Sequence, residues 1–305
     1  MSKLYLHIGM HKTGTTAIQN VLAANIGNLE RVGYCYPAIG MSGPTHAGWV
    51  NCIDFPSREA SIAQMMKGYR KERSVYAANN TFDELFDELV QEVELRPDLD
   101  FVLSSECFTE WVDPQVYASA FSKLFSSVEV VIYLREQTKW LASLTNQYYK
   151  DSSFRFDGNL VATPFRELLD YAQLIDLWAE CFGKHSVVIR RFVEGDGFDS
   201  VKDFLMQVLS ISAQEAEQFD QITADANRSV DANAFALLKY YNCTSYDVKT
   251  HEELKRLISF CEFTHENAVP VALTHSALLD TQTQSLVDVS NKRLWKLLNV
   301  ETPWW

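Results

Sequence analysis

Residues 4–16 read Leu4-Tyr5-Leu6-His7-Ile8-Gly9-Met10-His11-Lys12-Thr13-Gly14-Thr15-Thr16. The apolar run predicts a short buried strand, Gly9 opens a turn, and a helical pattern starts at Thr15. That order is the outline of a phosphate-binding loop, in which backbone N–H groups and a helix N-terminus face an anion. The version that serves nucleoside triphosphates needs Gly, four residues, then Gly-Lys-Ser/Thr. Here Gly9 and Gly14 keep the spacing and Thr16 keeps the hydroxyl, but Thr15 stands where the lysine belongs. The lysine has moved inside the loop, to Lys12. The charge that would neutralise outer phosphates is gone, and a cation sits on the near side of the bound group instead.

A second segment points to the same chemistry. Residues 129–135, Glu-Val-Val-Ile-Tyr-Leu-Arg, predict a strand buried on both faces that ends at Arg135. A helical pattern follows, with Trp140, Leu141, Leu144 and Tyr148 as its apolar stripe and Ser143 eight residues after Arg135. Arginine offers a planar fork of donors suited to phosphate oxygens. Serine adds one donor from the next helix. The plainer reading is an Arg135–Glu136 ion pair and a solvated Ser143.

Lys12-Thr13-Gly14-Thr15-Thr16 resembles the 5′-phosphosulfate loop of the sulfotransferases, and the preceding His7-Ile8-Gly9-Met10-His11 resembles that of their bacterial members. The resemblance implies the donor 3′-phosphoadenosine-5′-phosphosulfate (PAPS) and its product PAP. Residues Lys12, Thr13, Gly14, Thr15 and Thr16 would hold the 5′ side, and Arg135 with Ser143 the 3′-phosphate. One departure stands out. The late Arg-Lys-Gly segment of the cytosolic members is missing, and its loose counterpart, Asn227-Arg228-Ser229, reads as a helix entry with Ser229 as N-cap.

Elsewhere apolar runs predict strands at 3–9, 33–37, 100–105, 129–135 and 186–192. Helical patterns fall at 15–26, 82–95, 114–125, 137–150 and 165–182. The alternation implies a doubly wound parallel α/β sheet flanked by helices, with ligands beyond the carboxyl ends of the strands; the resemblance implies that this sheet is of the P-loop-like sulfotransferase type. Further helices are expected at 198–210, 230–241, 250–266 and 283–299. The chain therefore reads as a single domain over 1–305, an α/β core at 1–195 with a mainly helical extension at 196–305. Residues 40–80, with scattered Gly, Pro and aromatics, read as an excursion carrying part of an acceptor pocket.

Twenty-seven basic against 40 acidic residues leave a net charge of −13. Nucleic-acid binding, which needs a basic face, is excluded, and a small neutral or cationic acceptor is favoured. The six cysteines (Cys35, Cys52, Cys107, Cys181, Cys243, Cys261) form no Cys-x-x-Cys pair, so no metal site is expected. No signal peptide and no membrane-length apolar stretch appear, which gives the expectation of a cytoplasmic protein of bacterial type without a membrane partner. The sequence does not set the oligomeric state.

Transfer of a sulfuryl group to a hydroxyl or amine needs a general base. Glu106, at the end of the third strand in Leu103-Ser104-Ser105-Glu106, is one candidate. His46, in Pro44-Thr45-His46-Ala47-Gly48-Trp49, is the other. His11 reads as a shaper of the loop and His7 as a core histidine. Tyr36, Trp49, Trp111, Tyr148 and Tyr149 are aromatics near the expected pocket. The acceptor, a small molecule or a saccharide, is left open. Two other functions fit the same outline: a Mg-ATP-dependent small-molecule kinase, and a non-catalytic nucleotide-binding protein of the same fold.

Overall fold

The computed structural model describes residues 2–53, 80–109, 113–150, 164–193, 195, 197–220, 249–250, 253–254, 279–300 and 304–305. The expected α/β class is the one found. Five parallel strands, β1 (Lys3–His7), β2 (Tyr34–Cys35), β3 (Asp100–Ser104), β4 (Ser127–Leu134) and β5 (Val187–Arg191), form one sheet in the order β2-β3-β1-β4-β5.

Side-chain alternation along the central strands feeds two cores, one per face. Leu4, Leu6, Phe101, Leu103, Val130, Ile132 and Leu134 point to one of them. Tyr5, Val102, Val131 and Tyr133 point to the other. Helices cover both faces, so the sheet is doubly wound. Helix α1 (Thr15–Ala24) lays Ile18, Val21 and Leu22 on the second face, and α2 (Ile26–Arg31) adds Leu29. On the first face lie the short α3 (Gly48–Asn51), α4 (Phe82–Leu95), α5 (Pro114–Leu124), α6 (Gln137–Lys150) and α7 (Tyr171–Phe182). Thr81 and Glu84 form a reciprocal capping box at α4, and Asp113 and Pro114 start α5.

The predicted helix at 165–182 is two elements. Residues Pro164–Leu169 form a 3-10 turn, and Asp170 accepts from the Gln173 amide and so starts α7 afresh. The predicted helix at 198–210 is likewise shortened: α8 (Ser200–Asp203) widens into a π turn at Phe204–Val208. Helices α9 (Ala213–Ala216) and α10 (Thr281–Leu298) complete the described elements. The expectations at 230–241, at Asn227-Arg228-Ser229 and over most of 40–80 and 250–266 fall outside the described residues.

Helix α10 is bound to the sheet's carboxyl edge. Gln137, the first residue of α6, and Asn291 of α10 form a buried amide pair, with Gln137 Nε2 donating to Asn291 Oδ1 (2.6 Å) and Asn291 Nδ2 returning to Gln137 Oε1 (3.3 Å). Ser290 Oγ accepts from the Ala172 amide at 3.1 Å, tying α10 to the first turn of α7 as well. Trp305 packs edge-on against Tyr171 and lies over the Arg191 guanidinium, so the chain's last residue docks on its own body.

Removing one member of a buried amide pair strands the other. Asn291→Leu is therefore expected to cost about 1–3 kcal/mol, read as a lower urea midpoint at unchanged slope. A midpoint equal to the parent's would show that the pair contributes nothing.

Candidate active site

Strand β1 lies at the centre of the sheet, with β3 and β2 on one side and β4 and β5 on the other. The helix that follows β1 covers one face and the helix that follows β4 covers the other. In such a sheet the carboxyl ends beside the central strand open into a crevice. The loop at 9–14 occupies that position.

Three consecutive carbonyls of this loop are each held by a side-chain donor. The Met10 carbonyl accepts from both Thr13 Oγ1 (2.7 Å) and Thr15 Oγ1 (3.1 Å). The His11 carbonyl accepts from the Trp140 indole N–H at 2.8 Å. The Lys12 carbonyl accepts from Arg135 Nη1 at 3.1 Å. Because a trans peptide is planar, each held carbonyl sends the following N–H the opposite way. The amides of His11, Lys12 and Thr13 thus point away from the groups that hold the loop. Gly14 caps α1 in the left-handed region (φ 84°) without any side-chain cap, so the first-turn amides of α1 are not spent on a capping side chain.

Backbone conformation explains the glycines. Gly9 (φ 53°) has no room for a β-carbon, which would stand 2.9 Å from Thr15 Oγ1 and 3.3 Å from Glu106 Cα. At Gly14 a β-carbon would meet Ser200 Oγ at 2.3 Å and Phe192 at 3.3 Å. Lys12 is left-handed too (φ 64°), an uncommon state for a residue with a side chain, costing about 1–3 kcal/mol. The Arg135 bond to its carbonyl helps to hold it there.

Lys12 is half-buried, Thr13 and Thr15 are buried and Thr16 is exposed. The hydroxyls of Thr13 and Thr15 donate to the Met10 carbonyl, so these two shape the loop, while Thr16 presents its hydroxyl at the surface of the first turn. Arg135 is 7 % exposed. Its carbonyl accepts from Tyr171 Oη at 2.7 Å, and its guanidinium lies 5.6 Å from the Phe192 ring centre. Ser143 is half-buried on α6, one helical turn beyond Trp140 and so on the same side of the helix. Loop, Arg135 and Trp140 are brought together by direct bonds, and Ser143 follows on the same helix.

The two base candidates part company. Glu106 opens a 3-10 turn (Glu106–Thr109) directly after β3, with its backbone against Gly9. One carboxylate oxygen, Oε2, accepts from Gln19 Nε2 at 3.0 Å. The same amide nitrogen lies 3.3 Å from Thr45 Oγ1 and 3.4 Å from the Ser104 carbonyl. With a carboxylate and a carbonyl as neighbours, this end of Gln19 must be the NH₂. Gln19, buried on the first turns of α1, was not flagged by the sequence, where it reads as one polar residue in a helix.

His46 does not reach the site as a base. It is fully buried, its Nδ1 accepts from the Ser104 amide (3.1 Å), and its Nε2–H therefore donates to the Pro37 carbonyl (2.8 Å). Both nitrogens are used, Nδ1 in tying the excursion after β2 to the end of β3 and Nε2 in closing the excursion on its own start. Burial lowers its pKa to about 4. His7 is the expected core histidine. It is bonded through Nδ1 to Ser104 Oγ at 2.8 Å, and burial lowers it to about 3. Tyr36, Trp49 and Tyr149 are core residues rather than pocket walls, Tyr148 is half-buried, and Trp111 lies outside the described residues.

Among the described residues no group of His, Cys, Asp and Glu is arranged to hold a metal ion. No described helix is long and apolar enough to cross a membrane. The described cysteines, Cys35, Cys52, Cys107 and Cys181, are free thiols.

No family model matches the chain, and no curated protein matches it. Solved structures are similar to it, and two of them are sulfotransferases. One is a sulfotransferase from Alicyclobacillus acidocaldarius, at 14 % identity over 98 % of this chain and 96 % of that one, with a TM-score of 0.49. The other is the sulfotransferase domain from the curacin biosynthetic pathway, at 10 % identity over 85 % and 98 %, with a TM-score of 0.37.

His7 and His46 make stability depend on pH. Unfolded, each binds a proton near pH 6.5; folded, His46 does so only near pH 4 and His7 only near pH 3. Below pH 6.5 the unfolded chain holds more protons, so stability is full above that value and drains as pH falls toward 4, by up to about 1.4 kcal/mol per pH unit for each histidine. His7→Phe, in a site bordered by Tyr133 and Phe204, is expected to remove one histidine's share of this slope between pH 6.5 and 4.5. An unchanged slope in urea unfolding would contradict the assignment.

Proposed function

We propose that the protein is a PAPS-dependent sulfotransferase that transfers a sulfuryl group to a hydroxyl or amine of a small-molecule or saccharide acceptor by in-line displacement. The observation that carries this reading is the bond from Arg135 to the Lys12 carbonyl. It brings the two sequence segments that resemble the 5′ and 3′ halves of a PAPS site into one constellation at the ends of β1 and β4. The donor's chemistry suits the residues present. Outward amides at 11–13 and the uncapped start of α1 favour a phosphate, and Lys12 within the loop favours a monophosphosulfate over the terminal phosphates of ATP. Thr15, in the place of the lysine of triphosphate-binding loops, is buried and bonded to Met10.

PAPS supplies the sulfuryl group and PAP is its leaving group. The protein's part is to align and neutralise. Lys12 brings a cation to the oxygen that gains charge as the sulfur–oxygen bond breaks. Glu106 is the base. Gln19 fixes its Oε2, leaving Oε1 to take the proton of the attacking hydroxyl or amine. Thr13 and Thr15 hold the loop, Thr16 offers a hydroxyl to the 5′-phosphate, and Arg135 with Ser143 takes the 3′-phosphate. A net charge of −13 around this basic pocket favours neutral or cationic acceptors over polyanionic ones.

Calorimetric titration with PAP, ATP and ADP, each with and without Mg²⁺, tests the donor. PAP is expected to bind without metal, and Arg135→Ala to weaken it by about tenfold or more. Preference for ATP with Mg²⁺ would establish a kinase instead. The base is tested by PAP release from PAPS over a panel of alcohol, phenol, sugar and amine acceptors. Glu106→Gln should lose about 10²–10⁴-fold in kcat while keeping PAP affinity. Full turnover in that variant would remove Glu106 from the mechanism, and PAP affinity with no turnover for the parent on any acceptor would mark a binding protein.

A further inference from the structure

We propose that Trp140 is a positioning residue of the anion loop: its indole N–H, by holding the His11 carbonyl, sets the direction of the Lys12 amide that the bound 5′-phosphate meets. The inference rests on the reading of residues 9–16 as a loop for a phosphate, and deepens it.

Trp140 lies on α6, five residues beyond Arg135, and is fully buried in the core on the first face of the sheet. Its two rings fill that space. What the indole adds is one donor in an otherwise apolar setting, and that donor is spent on a loop in another part of the chain, 129 residues away in sequence. The bonded carbonyl lies between two others that are also held, those of Met10 and Lys12. Freed, the His11 peptide can rotate, and a rotated peptide turns an oxygen toward the anion where an amide stood. Such a peptide repels the phosphate instead of binding it.

The effect should be confined to the 5′ side. Arg135 and Ser143 act on the 3′-phosphate, whereas the His11 carbonyl is held by Trp140. Loss of the indole N–H therefore weakens any ligand with a 5′-phosphate by the same factor, whether or not it carries a 3′-phosphate. A purely structural role predicts a different pattern. It lowers thermal stability with affinities unchanged or, by tilting α6, erodes preference for the 3′-phosphate.

The test is calorimetry of the parent and Trp140→Phe with PAP and with 5′-AMP, alongside their melting temperatures. Should Trp140→Phe fail to fold, replacement of Trp140 by 3-benzothienylalanine keeps the bicyclic outline and removes the N–H. The expected result is a loss of about tenfold for both ligands, with their affinity ratio preserved. Unchanged affinities, or a loss confined to PAP, would overturn the proposal. A parent that binds PAP no better than 5′-AMP would overturn the PAPS reading, while the role of Trp140 is still decided on 5′-AMP. A parent that binds neither would overturn both.

Discussion

The loop at 9–14 keeps three of its own carbonyl oxygens turned onto side-chain donors, and that constraint organises this structure. Three consecutive carbonyls, of Met10, His11 and Lys12, are held by donors from three sources: the loop's own threonines, the indole of Trp140 and the guanidinium of Arg135. Each donor must be delivered by a different part of the fold. The threonines come with the start of α1, Trp140 with α6, and Arg135 with the end of β4. Those elements are in turn fixed by the parallel sheet that places β4 beside β1, by Tyr171 on the Arg135 carbonyl, and by α10 on the first residue of α6.

Charge within this site is economical. Lys12 and Arg135 supply the positive groups in a chain with 13 more acidic than basic residues. For the anion we propose, the remaining attraction comes from amides and a helix terminus, which carry no counter-ion and need no titration. Glu106 is paired with Gln19, whose NH₂ end faces the carboxylate and the Ser104 carbonyl. On the proposed function, one crevice holds an anion cradle and a carboxylate base side by side.

Much of the fold was legible because the strands are apolar runs buried on both sides and the helices are amphipathic, each with its own period. All five strands sit where the sequence puts them. Boundaries slipped where a local side chain overrides the pattern, as when Asp170 caps α7 and divides the expected helix at 165–182. The loop and Arg135 were legible from residue type and spacing. The roles of Thr13, Thr15 and Trp140 were not, because a donor turned inward to a backbone carbonyl looks in sequence like any threonine or any apolar stripe. His46 shows the reverse error. A histidine near an expected site suggested a base, but its two nitrogens are satisfied by Ser104 and Pro37 within the core. Nothing in the sequence pairs residue 46 with residue 104, since the contact exists only once β2 and β3 lie side by side.

The most direct measurement is a crystal structure of the protein with PAP. The 5′-phosphate is expected on the amides of residues 11–16 with the Lys12 ammonium against it, the 3′-phosphate on Arg135, and the Met10, His11 and Lys12 carbonyls still held by Thr13 and Thr15, Trp140 and Arg135. PAP bound elsewhere, or a loop whose carbonyls have let go of Trp140 and Arg135 and turned toward the ligand, would contradict it.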